Sequence, residues 1–100
     1  MILITGRVRV HADQRDTAIA AAAAMSAAST AEDGCIEYSF WTSNDDPNSM
    51  LLIERWENEE ALTAHMTAPH LATFITAIGP TVDGGMDVIR HDVSKAAPLF

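Results

Sequence analysis

The order in which two hydrophobic periods alternate along this chain leaves few folds open to it. In residues 2–10, Ile2, Ile4, Gly6, Val8 and Val10 fall on one side and Leu3, Thr5, Arg7 and Arg9 on the other, the period of two that marks a strand. Gly6 interrupts the apolar row, as strand glycines do at a bulge or where another group approaches. Asp13 is then placed to cap a helix whose first turn holds Asp16 and whose alanine-rich body runs to about Thr30. Asp33-Gly34 breaks it. From Cys35 to Thr42 the period returns to two, with Ile36, Tyr38 and Phe40 on one side and Cys35, Glu37, Ser39 and Trp41 on the other. A turn cluster, Ser43 to Ser49, leads into a third strand, Met50 to Glu57, and the short connection makes the pair a hairpin.

Asn58 caps a second helix with Glu59 and Glu60 in its first turn, and Leu62, His65, Met66 and Pro69 follow helical spacing. Pro69 ends that helix and opens another, because proline suits a first helical position. Leu71, Phe74, Ile75 and Ile78 form an apolar stripe that Gly79-Pro80 stops, residues 86–93 read as a last strand, and Ser94 to Phe100 as a tail. The sum is β-α-β-β-α-β, the split arrangement of ferredoxin-like α+β folds. One domain over residues 1–100 is expected, with a four-stranded antiparallel sheet and helices on one face. The first and third strands are apolar on both sides, so the uncovered face predicts a homodimer packed sheet against sheet.

Composition narrows the function. Each half of the chain carries three basic residues against seven acids, for a net charge of −8 without any basic cluster. Nucleic acids and anionic membrane surfaces, which demand clustered Lys and Arg, are not expected partners. The longest apolar run, Ala18 to Met25, has eight residues, against about 20 for a membrane span. Arg7 and Arg9 break the apolar start too early for a signal peptide, and the lone Cys35 forms no internal disulfide, so a cytoplasmic protein is expected. No glycine-rich dinucleotide fingerprint is present, and no cofactor is expected.

Two segments carry a family resemblance. Glu32-Asp33-Gly34-Cys35-Ile36-Glu37-Tyr38 resembles the turn and strand of the antibiotic biosynthesis monooxygenase family, with Asp33 where a proline is usual. Glu54 to His70, with Glu-x-Trp ending a strand, Glu-Ala-Leu in a helix and two histidines around Ala-Pro, resembles that family's central motif, and Phe74 fits as well. The resemblance covers about residues 3–93. It implies a dimeric α/β barrel and an oxygenase that needs no bound cofactor, acting on a small phenol, hydroquinone or polyketide-like substrate. Similar proteins include haem-degrading enzymes, which use an Asn, a Trp and a His where this chain has Gly6, His65 and about Ile75. All three differ, so haem cleavage is not implied.

His65 and His70 are the candidate bases, because imidazole gives and takes protons near neutral pH. They could instead cap a helix end and bond local backbone. As a metal pair they lack the i, i+4 spacing of helical ligands and a third ligand apparent in the sequence, so no metal is expected. Glu54 sits in an apolar row with Met50, Leu52 and Trp56, which is costly unless it is paired. It would orient a histidine, bind a substrate hydroxyl, or pair with Arg7, Arg9, Arg90 or a dimer partner. Trp56, Tyr38, Phe74 and Gly6 complete an expected pocket for a small apolar or aromatic ligand between sheet and second helix. The rival expectation is a non-catalytic dimeric binding or stress-associated module, favoured if no enclosed cavity of about 300 Å³ is lined by His65, Tyr38 and Trp56.

Overall fold

The computed structural model describes all 100 residues. The alternating segments form β1 (Ile2–Val10), β2 (Cys35–Thr42), β3 (Ser49–Trp56) and β4 (Val82–Asp92), and the helical ones α1 (Arg15–Thr30), α2 (Glu59–Met66) and α3 (Pro69–Ile78). The strands make one antiparallel sheet in the order β2-β3-β1-β4. This is the expected ferredoxin-like α+β architecture, its second helix split in two at Pro69.

Registers set the rows of the core. Trp56 stands opposite Ile2 and Cys35, Glu54 opposite Ile4 and Tyr38, and Leu52 opposite Gly6 and Phe40. Ile2, Ile4, Val8 and Val10 are buried with Met50, Leu52 and Trp56 against Ala18, Ala22 and Met25 of α1, Leu62 of α2, and Phe74 and Ile78 of α3. The alanines let α1 lie close to the sheet. Gly6 is explained by its row, since a Cβ there would stand 3.3 Å from the Leu52 Cβ.

The structure corrects four local expectations. Asp13 does not cap α1: Ala12–Gln14 form a 3-10 turn, Gln14 is the N-cap without a side-chain bond, and the Gln14 N–H donates to the His11 carbonyl at 2.9 Å. Cys35 and Ile36 exchange sides. The ladder slips by one residue between Cys35 and Glu37, so Cys35 joins the core while Ile36 is 43% exposed. Such a bulge adds one residue to one strand and reverses the alternation before it. β4 starts at Val82, not at residue 86. Val8 pairs with Met86 but Val10 with Val82, and the extra residues are absorbed around Gly84 at φ +95°, a conformation open chiefly to glycine. On α3 the inner stripe is Phe74 and Ile78 with Leu71 at its margin, whereas Ile75 faces solvent, as does Met66 on α2. Asn58 does cap α2, its Oδ1 accepting from the Ala61 N–H at 2.9 Å.

Candidate active site

Glu32, absent from the expected site, is its hinge. A tight turn leaves α1: the Glu32 N–H donates to the Ser29 carbonyl and the Cys35 N–H to the Glu32 carbonyl. Gly34 allows the turn at φ +79°, and a Cβ there would stand 2.5 Å from the Ala61 Cβ of α2. The backbone is thus pressed against the first turn of α2. His65 lies in the last turn of α2, and His70 follows the proline that starts α3. Both rings reach one oxygen, Glu32 Oε2, from His65 Nδ1 at 2.6 Å and from His70 Nε2 at 2.8 Å. A carboxylate oxygen accepts, so both nitrogens are placed to donate N–H to it, and in the neutral His65 ring that tautomer has no hydrogen on Nε2.

His65 Nε2 looks toward Glu54 Oε1 at 3.8 Å, and the same oxygen accepts the Trp56 indole N–H at 2.9 Å. The His65 ring packs 4.6 Å from Trp56 and 5.5 Å from Tyr38 between centroids. Phe74 joins through Phe40, which lies 5.7 Å from Phe74 and 5.9 Å from Tyr38. The fold therefore gathers His65, His70, Glu54, Trp56 and Tyr38, with Phe74 one ring behind. It leaves Gly6 apart, beneath Leu52. None of the expected arginines pairs with Glu54: Arg9 holds Asp46 and Asp83, Arg90 holds Glu59 and Asp92, and Arg7 stands opposite Leu51 with no ion pair to Glu54.

The cluster is electronegative. Burial, then the carboxylates of Glu32 and Glu54, pushes the Cys35 thiol up to about 11. Burial, helped by Glu54, also raises the Tyr38 phenol, which stays protonated and able to donate. Beside it lies Ser29, close enough to temper that rise, although its buried Oγ makes no hydrogen bond of full geometry. Burial raises the Glu54 carboxyl above its ordinary value, Glu32 adds to the rise, and the Trp56 N–H and His65 oppose it. A carboxyl raised in the folded state stabilises the fold below its unfolded pKa, and that contribution disappears as pH climbs through the folded value. Glu54→Gln removes the dependence, so the melting temperature of the variant relative to the natural protein should be higher at neutral pH than at about pH 4. Thermal melts of both proteins across that range check this; a difference independent of pH would contradict the burial cost.

Openings lie to either side of the cluster. A cleft of about 290 Å³ between α1 and the hairpin is lined by Arg15, Ile19, Phe40 and Met50 among others. A smaller one of about 130 Å³ between α1 and α3 is lined by Met25, His70 and Phe74. Neither is lined by His65, Tyr38 or Trp56, which pack against one another instead. No helix is long and apolar enough to cross a membrane.

A sheet with this topology and a histidine–carboxylate cluster beneath a broken second helix defines an α+β class whose relatives can be named. Residues 1–77 match the family described as antibiotic biosynthesis monooxygenase, and the chain belongs to that family. It is 34% identical over 74 residues to "Uncharacterized protein sll1783" of Synechocystis sp., a match over 74% of this chain and 50% of that protein, so the chain spans about half of that relative's length. It is 23% identical to "Putative monooxygenase YcnE" of Bacillus subtilis, over 95% of this chain and all of that one. A Deinococcus radiodurans crystal structure, described as a "putative antibiotic biosynthesis monooxygenase", superposes with a TM-score of 0.92 at 21% identity, covering 100% of this chain and 99% of that one. At that identity the likeness shows the fold. The family's description and the name of the Bacillus subtilis relative both speak of a monooxygenase.

Proposed function

We propose that the protein is a monooxygenase without a bound cofactor, acting on a small electron-rich phenol, hydroquinone or polyketide-like ring. The observation that carries this reading is the histidine whose Nδ1 lies 2.6 Å from Glu32 Oε2 while Nε2 faces Glu54 among Trp56 and Tyr38, so that the neutral ring held this way presents an open nitrogen. Such a nitrogen can take a phenolic proton. The resulting anion is electron-rich enough to pass an electron to O₂ directly, and the protein need supply only the base, an apolar wall and a donor for the oxyanion. His65 is the base in this reading, His70 its neighbour on the same carboxylate, and Tyr38 the donor. Trp56 and Phe74 are the walls, Glu54 faces the base, and Gly6 gives Leu52 room below. Substrate approaches through the cleft beside His70 and Phe74, and its ring displaces the contact between His65 and Tyr38. Oxygen uptake measured against a panel of quinols and polyphenols tests the reading; uptake no faster than without protein, across the panel, counts against it.

The closed packing of His65, Tyr38 and Trp56 favours a second reading, a binding module of the same fold without turnover. Ligand-induced quenching of Trp56 fluorescence with no oxygen uptake would select it. Either reading uses a homodimer, proposed from the sheet face away from the helices. There Leu3, Thr5, Leu51 and Ile53 are only half-buried, and Ile89 is exposed. Sedimentation at micromolar concentration should show twice the chain mass, and a stable monomer would refute the sheet-to-sheet dimer. A cytoplasmic location belongs with this proposal.

A further inference from the structure

Two imidazole nitrogens and a carboxylate oxygen that converge from separate elements are also a ligand set. The histidines alone, five residues apart across a helix break, offer no such set; the turn at Gly34 supplies the third donor from the end of α1. We propose that Glu32, His65 and His70 bind one first-row divalent transition ion, with Zn²⁺ as the probe, through Glu32 Oε2, His65 Nδ1 and His70 Nε2.

The donor atoms already converge, all within 4.8 Å of one another, and side-chain torsion has to bring them to ligand spacing. Bonds of about 2.0–2.1 Å to a tetrahedral ion set donor atoms roughly 3.3 Å apart, so Glu32 Oε2, now 2.6 and 2.8 Å from the two nitrogens, must withdraw by about half an ångström. A glutamate side chain does that by torsion. The donors are graded in exposure, His65 at 3%, Glu32 at 16% and His70 at 25%. The buried ring forms the inner wall, and the open side admits the ion and a water as fourth ligand. Two nitrogens with one oxygen suit zinc, nickel, cobalt or copper, whereas calcium and magnesium take sets made of oxygens.

The surroundings are those a metal-bound imidazole uses. When an ion takes Nδ1 of neutral His65, the remaining hydrogen moves to Nε2. Ligating histidines commonly donate that second N–H to a carboxylate. Glu54 Oε1 is 3.8 Å from Nε2 and is itself fixed by the Trp56 indole. The carboxylates of Glu32 and Glu54 flank the His65 ring, and an added cation relieves their mutual repulsion. Loading has one consequence for the oxygenase reading: Nε2 with a hydrogen no longer accepts one, so zinc should suppress any oxidation that depends on His65.

Calorimetric titration with ZnCl₂ and the visible absorption of a CoCl₂ complex test the site without turnover. An inactive protein can bind the ion and an active one can fail to, so the outcome stands apart from that of the oxygenase reading. The natural protein should bind one ion per chain, and Glu32→Gln and His70→Ala should each weaken binding at least about tenfold. His11→Ala, at an exposed histidine, should change nothing. No binding by the natural protein, or binding weakened by less than about tenfold in either Glu32→Gln or His70→Ala, overturns the proposal, because a site indifferent to one of its three ligands is not this site.

Discussion

Trp56→Ala should cost about 3–5 kcal/mol of folding stability, the range for deleting a buried large aromatic side chain. Trp56 is fully buried. It closes the row between Ile2 and Cys35 and carries the His65 ring on its face. Its loss also takes the indole N–H from Glu54, and a buried acceptor left without its donor costs a further part of the total. Trp56→Phe separates the two effects in large part, because it keeps most of the volume while removing the hydrogen bond. Its expected cost is about 1–3 kcal/mol. Since a domain of this size is stable by about 5–15 kcal/mol, the alanine variant should unfold at clearly lower urea concentration with the slope of the transition unchanged. Equal costs for the two substitutions would mean that the hydrogen bond, not packing, makes Trp56 important.

The strands were legible because a period of two, once started, places every second residue. Ile2 to Val10 and Met50 to Trp56 follow it without interruption, and Glu54 and Trp56 sit on the core face as their spacing predicts. Where the ladder slips, the pattern misleads. Nothing local in Cys35-Ile36-Glu37 announces that one residue is extra, because the slip is imposed by pairing with Arg55 and Trp56 on the neighbouring strand. The late start assigned to β4 has the same origin. Gly84-Gly85 absorbs a register shift inside a continuous strand.

The candidate site was legible to the same depth. Five members lie in one stretch of strand and helix or on the paired strand, and local spacing brings them close. Glu32 is separated from its two partners by 33 and 38 residues, so its role follows from tertiary contact. The available signal was an acid directly before Asp33-Gly34, at a turn that must be tight because Gly34 lies against Ala61. Ser29 was hidden for a different reason: a serine in an alanine-rich helix looks like filler until its buried hydroxyl is seen beside the Tyr38 phenol.

If the proposed oxidation occurs, His65→Ala should lower its rate by about 100-fold or more, the contribution of a positioned general base. The geometry distinguishes the two histidines sharply. His65 presents Nε2 to the Trp56, Tyr38 and Glu54 side of the cluster, while the nitrogen of His70 that faces inward is occupied with Glu32. His70→Ala should therefore lower the rate far less than His65→Ala, acting through the orientation of Glu32 alone. Because His65 is buried, its alanine variant also loses packing, and rates must be compared per folded molecule. His65→Gln is the better instrument, since it fills more of the space and offers hydrogen bonds but cannot take up a proton at neutral pH. A rate preserved in His65→Gln and lost in His65→Ala would assign His65 a structural role. Rates unchanged in both His65 variants and in His70→Ala would remove the base from the scheme altogether. The binding-module reading would then describe the protein better, because the closed ring packing around Tyr38 and Trp56 needs no turnover to explain it.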